Sequence, residues 1–201
     1  MKPLELHLET DGFLVENLHY DSLDQSPQEL IGEIRSQIDE CCGDAPRLHF
    51  VTHSLGGILV RAFVMRSRPA NLGRVVMIAP PNKGSELADW VGESELLSWT
   101  LGPTAVELGT SPDSLPNRLP PADFELGIIA GTYAASPLTE VIEGESDGTV
   151  SVESTKLTGM QDFITLPYSH TFIMQRGAAA EQVSAFLRTG RFTHTSTDDP
   201  S

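Results

Sequence analysis

The chain has 201 residues, which is enough for one domain with a buried core and too few for two comfortable ones. Its formal net charge of −15, from 13 basic and 28 acidic residues, opposes binding to nucleic acid or to anionic lipid surfaces. Hydrophobic residues make up 39% of it and no apolar run approaches the roughly 20 residues of a membrane-spanning helix, so we expect a soluble globular protein without a transmembrane segment.

The two cysteines, Cys41 and Cys42, are adjacent. Neighbouring residues seldom reach the geometry that a disulfide needs, so we expect two thiols, in a reducing compartment or simply at an ordinary helix end. Cys and His residues do not occur at the spacing of metal ligands, and we expect no metal site. The first ten residues lack the basic start and long apolar stretch of a secretory signal, which favours a cytoplasmic location.

The first part of the chain predicts a helix, a strand and a second helix. Two leucines four residues apart indicate a short helix over residues 4–11. The apolar run 13–18 predicts a mostly buried strand, and a turn follows at 20–22. Ser26 and Glu29 have the spacing of a helix-capping box, with a proline at the first helical position. This second helix has one apolar stripe, formed by Leu30, Ile31, Ile34 and Ile38.

The stretch Arg47–Gly57 organises the rest of the chain. A β-branched and aromatic run ends there in small residues that begin a helical pattern, which predicts a strand, a sharp turn and a helix. At such a turn Ser54 has strained backbone angles and an exposed hydroxyl, and the Leu55 N–H faces the same space. We interpret Ser54 as a nucleophile and the Leu55 N–H as a donor to an oxyanion. An ordinary loop with a capping serine is the alternative.

Helices and strands alternate through the remaining sequence, which predicts a parallel α/β sheet. The helix after the serine turn should be buried, with inward residues Ile58, Leu59, Ala62, Phe63 and Met65. Further buried strands are predicted over 75–79, 126–130 and 163–166. A closing helix over 178–187 should end at Gly190, and we expect residues 193–201 to be disordered.

The hexapeptide Thr52-His53-Ser54-Leu55-Gly56-Gly57 resembles the nucleophile elbow of the lipase and serine esterase branch of the α/β-hydrolases. In that family a histidine often precedes the serine and two glycines follow. Thr52 replaces the usual first glycine, and we expect the turn to tolerate this small residue. The resemblance covers about residues 1–192 and implies an α/β-hydrolase-like, mostly parallel sheet flanked by helices. It also implies an N-terminally truncated form, because an early strand and its loop are not recognisable.

Two later segments match the positions at which the family carries its acid and its base. Asp147 lies in a turn signal followed by a β-branched residue, in a passage that resembles the acid loop of lipases. A surface turn is the alternative, and Asp162 and Glu145 are lesser candidates for the acid. His170 comes just after the last predicted strand, where the fold needs its base. The order Ser54, Asp147, His170 is that of α/β-hydrolase triads.

Substrate contacts are predicted on both sides of the nucleophile. The segment 80–85 resembles the loop after the next strand in lipases, so we expect Pro81 and Asn82, together with His53, to bind substrate. A plain turn is the alternative. Residues 86–124 form a long connection that contains tryptophans and prolines, and they are predicted to be a lid or an acyl-binding wall. A crossover helix with a solvated loop is the alternative.

The resemblance leaves one oxyanion donor unassigned. In this family a loop marked by a His-Gly pair supplies it, and the sequence contains no such pair. Three explanations are open: the chain starts late, the 13–18 strand moves across, or another chain fills the gap. Loss of one oxyanion donor lowers the rate by roughly 10²–10³.

These residues predict a single α/β-hydrolase domain over 1–192 that hydrolyses carboxylic esters of small to medium acyl chains through an acyl-Ser54 intermediate. No cofactor is expected, the substrate would be a small-molecule or lipid ester, and a homo-oligomer is left open. A lipase acting on long-chain acylglycerols is the alternative enzyme. A catalytically weak or silent hydrolase-like binding protein is the alternative from another class, and amidases, thioesterases and acyltransferases use the same triad.

Overall fold

A parallel β-sheet forms the centre of the molecule. The structure is a computed structural model that describes residues 1–21, 25–92, 107–134 and 141–194. Within these ranges the sheet has four strands in the order β1-β2-β3-β4, and all neighbouring pairs are parallel. The strands are β1 (Leu48–His53), β2 (Leu72–Ile78), β3 (Leu126–Gly131) and β4 (Asp162–Leu166). The predicted parallel α/β sheet is therefore confirmed.

Helices cover both faces of this sheet, as the continuous apolar strands require. The long ones are α1 (Lys2–Thr10), α2 (Pro27–Cys42), α3 (Leu55–Ser67) and α7 (Gly177–Thr189). On one face α2 and α3 pack against a core that includes Phe50, Met77 and Ile128. On the other face α1 and α7 pack against a core that includes Val76 and Ile129. Adjacent residues of one strand thus point into opposite layers, because the strand repeat is two residues.

Local signals in the sequence fix several helix ends. Ser26 and Glu29 form the predicted capping box at the start of α2: the Ser26 side chain accepts from the Glu29 N–H and the Glu29 carboxylate accepts from the Ser26 N–H. At the other end of the chain α7 stops at Gly190, whose φ of +80° is a left-handed conformation that glycine adopts readily. Short helices are α4 (Glu86–Gly92), α5 (Leu115–Arg118) and α6 (Val152–Thr155), and a single 3₁₀ turn covers Ile173–Gln175.

The segment Phe13–Tyr20 differs from the prediction, because it forms no strand. Its first residues pack into the core on the α1 and α7 side, and Leu18 and Tyr20 pack into the core on the α2 and α3 side. The Phe13 ring also contacts the ring of His49 in β1, with 6.3 Å between centroids. The segment therefore passes around the outer edge of β1, from one face of the sheet to the other. It is apolar because it touches both cores, and not because it is paired in a ladder.

Two further expectations are wrong. Cys41 and Cys42 are joined by a disulfide between adjacent residues in the last turn of α2. This pairing removes the sequence argument for a reducing compartment. Met65, in the last turn of α3, is 50% exposed, since the buried run of this helix ends at Val64.

Parts of three other predictions fall outside the described residues: most of the tail 193–201, residues 93–106 of the predicted lid, and the end of the turn at 20–22. In the ranges that the structure does describe, no helix is long and apolar enough to cross a membrane. The same ranges contain no group of three or more His, Cys, Asp or Glu side chains able to bind a metal ion.

Candidate active site

Ser54 lies at the sharp turn between β1 and α3. Its backbone has a φ of +52° and a ψ of −126°, a conformation that a residue other than glycine rarely adopts and that costs on the order of 1–3 kcal/mol. The surrounding backbone fixes the turn: the Ser54 N–H donates to the Ile78 carbonyl at 2.9 Å, and the Gly57 N–H donates to the Ser54 carbonyl at 3.0 Å. The predicted strand, turn and helix are confirmed.

Small residues let α3 start this close to the sheet. A Cβ on Gly57 would lie 3.0 Å from the Pro80 Cβ and 3.3 Å from the Met77 sulfur, so a side chain there would push the helix away. A Cβ on Gly56 would lie 3.4 Å from the Thr52 Cβ. Because Gly56 leaves this space open, the turn accepts Thr52 in place of a glycine.

The structure brings Ser54, Asp147 and His170 together, although they are far apart in sequence. The Ser54 hydroxyl lies 3.0 Å from His170 Nε2, and His170 Nδ1 lies 2.7 Å from a carboxylate oxygen of Asp147. In the tautomer that satisfies both contacts, Nδ1–H donates to Asp147 and the serine hydroxyl donates to Nε2. The Asp147 side chain is fully buried, and the His170 side chain is 13% exposed.

Backbone contacts fix Asp147 and His170 relative to each other. The second carboxylate oxygen of Asp147 accepts from the N–H groups of Thr149 at 2.9 Å and Val150 at 2.8 Å, so this buried charge is hydrogen bonded on both oxygens. The His170 N–H donates to the Asp147 carbonyl at 3.0 Å. At the end of β3, a Cβ on Gly131 would lie 2.4 Å from the Tyr168 carbonyl oxygen and 2.7 Å from the Asp147 Cβ. Because Gly131 has no side chain, the loop that carries Asp147 and the loop that carries Tyr168 and His170 can both pack against the end of β3.

His53 lies next to His170. Its Nε2 is 2.8 Å from the backbone carbonyl of His170, and the two rings are 4.8 Å apart. Burial lowers the pKa of His53 to about 4, with a smaller contribution from the nearby imidazole of His170. His53 is therefore neutral at pH 7, and its Nε2–H donates to His170. The sequence predicts a substrate contact for His53, and the contact that the structure describes is the one with the His170 carbonyl.

Asn82 and Pro81 are also buried, and Asn82 is only 2% exposed. The Asn82 side-chain oxygen accepts from Arg61 at 3.1 Å and its amide donates to the Thr155 carbonyl at 2.8 Å. Both polar ends of Asn82 are thus engaged inside the protein. Asn82 thus connects α3, through Arg61, to α6, which follows the loop that carries Asp147.

Sequence reasoning missed Arg61, a buried cation in α3. Its guanidinium also donates to the backbone carbonyls of Asn82 at 3.2 Å, Leu119 at 3.2 Å and Pro120 at 3.3 Å. Burial lowers its pKa to about 10, so it stays charged at neutral pH. In the sequence it interrupts the otherwise apolar run Leu55–Met65, and this is the signal that could have singled it out.

The segment 80–86 also binds to the acid loop at its surface end. The Ser85 hydroxyl donates to the Thr149 carbonyl at 2.8 Å, and Lys83 pairs with Glu153 at 2.6 Å. Hydrogen bonds from Lys83 and Lys156 lower the pKa of the exposed Glu153 carboxyl to about 2. This segment therefore supports the loop that carries Asp147.

Leu55 is the first residue of α3, so its N–H has no partner within the helix. Among the described residues no carbonyl accepts from this N–H. The Ser54 side chain does not cap the helix either, since its hydroxyl is directed to His170. The Leu55 N–H is therefore free to donate to an oxygen atom next to Ser54.

Solved structures of low sequence identity share this architecture. The mature lipase BlEst2 from Bacillus licheniformis superposes with a TM-score of 0.59 at 18% identity, covering 82% of this chain and 72% of the lipase. The phospholipase PlaB from Legionella pneumophila, in complex with thio-NAD, gives a TM-score of 0.62 at 20% identity, covering 83% of this chain and 48% of that one. The propeptide form of BlEst2 gives 0.61 at 19% identity, covering 92% and 44%. This chain thus spans less than half the length of the last two proteins.

No protein-family model matches the sequence, and no curated protein matches it. At these identities the superpositions establish the fold of the chain and do not identify a substrate. Together with the order and direction of the strands, they show that the chain has the α/β-hydrolase fold.

Proposed function

We propose that this chain is a serine hydrolase that cleaves carboxylic esters of small to medium acyl chains through an acyl-Ser54 intermediate. The observation that carries the proposal is the continuous hydrogen-bond path from Ser54 through His170 to Asp147. A serine hydroxyl is a weak nucleophile at neutral pH, and this path supplies both the base that activates it and the carboxylate that orients the base. The lipase and phospholipase among the structural neighbours support ester chemistry.

The proposed reaction has two similar halves. Ser54 Oγ forms a bond to the ester carbonyl carbon while His170 Nε2 takes the hydroxyl proton, and the carbonyl electron pair moves onto its oxygen. The Leu55 N–H donates to this oxyanion, and Asp147 stabilises the imidazolium. The carbon–oxygen bond to the alcohol then breaks, and the alcohol leaves with the proton from His170. Water, activated by His170 in the same way, releases the acid from the acyl-Ser54 intermediate.

A lipase acting on long-chain acylglycerols is the second candidate. The observation that favours it is a set of exposed aromatic residues on segments that follow β2, β3 and β4: Trp90, Tyr133 and Phe172. Exposed apolar groups near a site of this kind suit a long acyl chain or a lipid surface. Rates with p-nitrophenyl esters of increasing chain length separate the candidates. A maximum at short chains supports the esterase, whereas a sharp rise above the solubility limit of a long-chain ester supports the lipase.

Labelling with a fluorophosphonate tests the nucleophile itself. We expect the wild-type chain to be labelled once, Ser54→Ala to lose both labelling and ester hydrolysis, and Ser36→Ala, an exposed position on α2, to retain both. A folded wild-type chain that takes no label would refute the proposal and support the silent binding protein.

Other assignments rest on the sequence resemblance. The roles of His53, Pro81 and Asn82 in substrate binding, and of residues 86–124 as a lid, stay predictions.

A further inference from the structure

The proposed reaction needs a second hydrogen-bond donor at the oxyanion. The Leu55 N–H supplies one bond, whereas an oxyanion accepts two or three, and each is worth a large factor in rate. The regular elements that the structure describes provide no second loop beside Leu55, because β1 is the outer strand of the sheet on this side. The segment Phe13–Tyr20, which passes around that edge, is the part of the described chain that lies in this position.

Tyr20 places its hydroxyl beside the first turn of α3. The hydroxyl oxygen lies 3.3 Å from the position that a Cβ on Gly56 would take, and Gly56 directly follows Leu55 in the chain. The hydroxyl is thus adjacent to the helix end at which the oxyanion would form. Any side chain at position 56 would meet this oxygen, so Gly56 also keeps the space around the Tyr20 hydroxyl open.

The Tyr20 hydroxyl makes no hydrogen bond in the part of the chain that the structure describes. The Tyr20 side chain is partly buried, against the core on the α2 and α3 side. Gly56, beside this hydroxyl, belongs to the N-terminal turn of α3, whose free N–H groups are donors and not acceptors. Burial raises the pKa of Tyr20, so the phenol stays protonated at neutral pH and is itself a donor. The Tyr20 hydroxyl and the Leu55 N–H are thus two donors in the region of the first turn of α3, and the N-terminus of a helix favours a negatively charged acceptor.

We propose that the Tyr20 hydroxyl is the second donor to the oxyanion, paired with the Leu55 N–H. The inference rests on the proposed function and adds a catalytic residue to it. As the Ser54 Oγ–carbon bond forms, the carbonyl electron pair moves onto the carbonyl oxygen, and the proton of the Ser54 hydroxyl goes to His170. Tyr20 donates a hydrogen bond to this oxygen and keeps its own proton throughout. When the carbon–oxygen double bond re-forms, the hydrogen bond weakens again, so its contribution is largest at the transition state.

Tyr20→Phe tests this role, because it removes the hydroxyl and keeps the ring in the core. We expect kcat for p-nitrophenyl acetate to fall about 100-fold with KM unchanged, since the lost bond belongs to the transition state. The free energy of unfolding in urea should stay the same, because the hydroxyl has no partner to lose. Ser36→Ala, which removes an exposed hydroxyl on α2, is the control and should keep wild-type kcat.

A boronic acid that forms a tetrahedral adduct on Ser54 provides a second readout. Its affinity should fall by a similar factor in Tyr20→Phe if the hydroxyl donates to the tetrahedral oxygen, even if the variant is also less stable. Wild-type kcat and boronate affinity in Tyr20→Phe, or a higher KM with unchanged kcat, would overturn the role of Tyr20 and leave the esterase proposal intact. A wild-type chain that is folded but neither hydrolyses esters nor reacts with the phosphonate would overturn both.

Discussion

The two halves of the site are fixed in different ways. On the acid and base side, Asp147 and His170 are joined by a side-chain bond and a backbone bond, and the segment 80–86 supports their loop with further hydrogen bonds. On the side of the proposed oxyanion donors, Tyr20 belongs to a segment without regular structure, at a sheet edge where β1 has no strand neighbour in the described chain. Substitutions around Asp147 and His170 should therefore lower both stability and activity, whereas substitutions around Tyr20 should lower activity alone.

The largest expected effect comes from the acid. Asp147→Asn keeps the size of the side chain, and its amide oxygen can still accept from the Thr149 and Val150 N–H groups. Its NH2 group then faces His170 Nδ1 and favours the wrong imidazole tautomer, and the negative charge is lost. We expect kcat for ester hydrolysis to fall about 10⁴-fold, measured on protein whose circular dichroism matches the wild type. Asp113→Asn, at an exposed position, should retain full activity. A loss of less than tenfold in Asp147→Asn would mean that Asp147 does not orient the base.

A smaller effect is expected where the acid and base loops close over β3. In Gly131→Ala the new methyl group would clash with the Tyr168 carbonyl and the Asp147 Cβ, so the two loops must separate. We expect kcat to fall about 10- to 100-fold and the free energy of unfolding to fall by about 1–3 kcal/mol.

Gly32→Ala in α2 is the matched control for this substitution. A Cβ at position 32 meets no atom within 4 Å, so activity should not change and stability should rise by about 0.5–1 kcal/mol. If Gly131→Ala also keeps wild-type kcat and does not lower the free energy of unfolding, the close packing of the two loops against Gly131 does not position Asp147 and His170.

The smallest effect concerns pH and His53. Because the folded pKa of His53 is about 4 and the ordinary value is 6.5, the unfolded chain takes up a proton first as the pH falls. The stability that comes from neutral His53 is complete above pH 6.5 and is lost as the pH falls toward 4. Between pH 7 and pH 5 the loss is about 2 kcal/mol.

His53→Gln tests this assignment, because glutamine can still donate to the His170 carbonyl but does not titrate. Urea unfolding at pH 7, 6 and 5 should show a shallower fall in stability for this variant than for the wild type. Equal slopes would mean that His53 is not the group responsible.

Sequence reasoning predicted the parts of this molecule that local patterns determine. The capping box of α2, the turn at Ser54 and the glycine end of α7 depend on residues within a few positions of each other, and the structure contains each of them. Asp147 and His170 were predicted from chain order and resemblance, and the structure brings them to Ser54.

Features that depend on distant contacts were beyond these patterns. The 13–18 segment has the composition of a strand, but whether it pairs depends on the edge of β1, which no local pattern describes. Arg61 and Gly131 looked like ordinary residues of a helix and a strand, and their importance comes from the Leu119 and Pro120 carbonyls and from the Tyr168 and Asp147 loops. The resemblance of the 80–85 loop points to Asn82, but no local pattern predicts its partners Arg61 and Thr155.

The outer edge of β1 has a consequence for the behaviour of the protein in concentrated solution. Unpaired strand edges tend to join edge to edge, and mutual repulsion between copies that each carry a net charge of −15 opposes such joining. Acidification toward the isoelectric point near 4.6 removes that repulsion, so the colloidal stability of the protein depends on the same carboxylates that make it acidic.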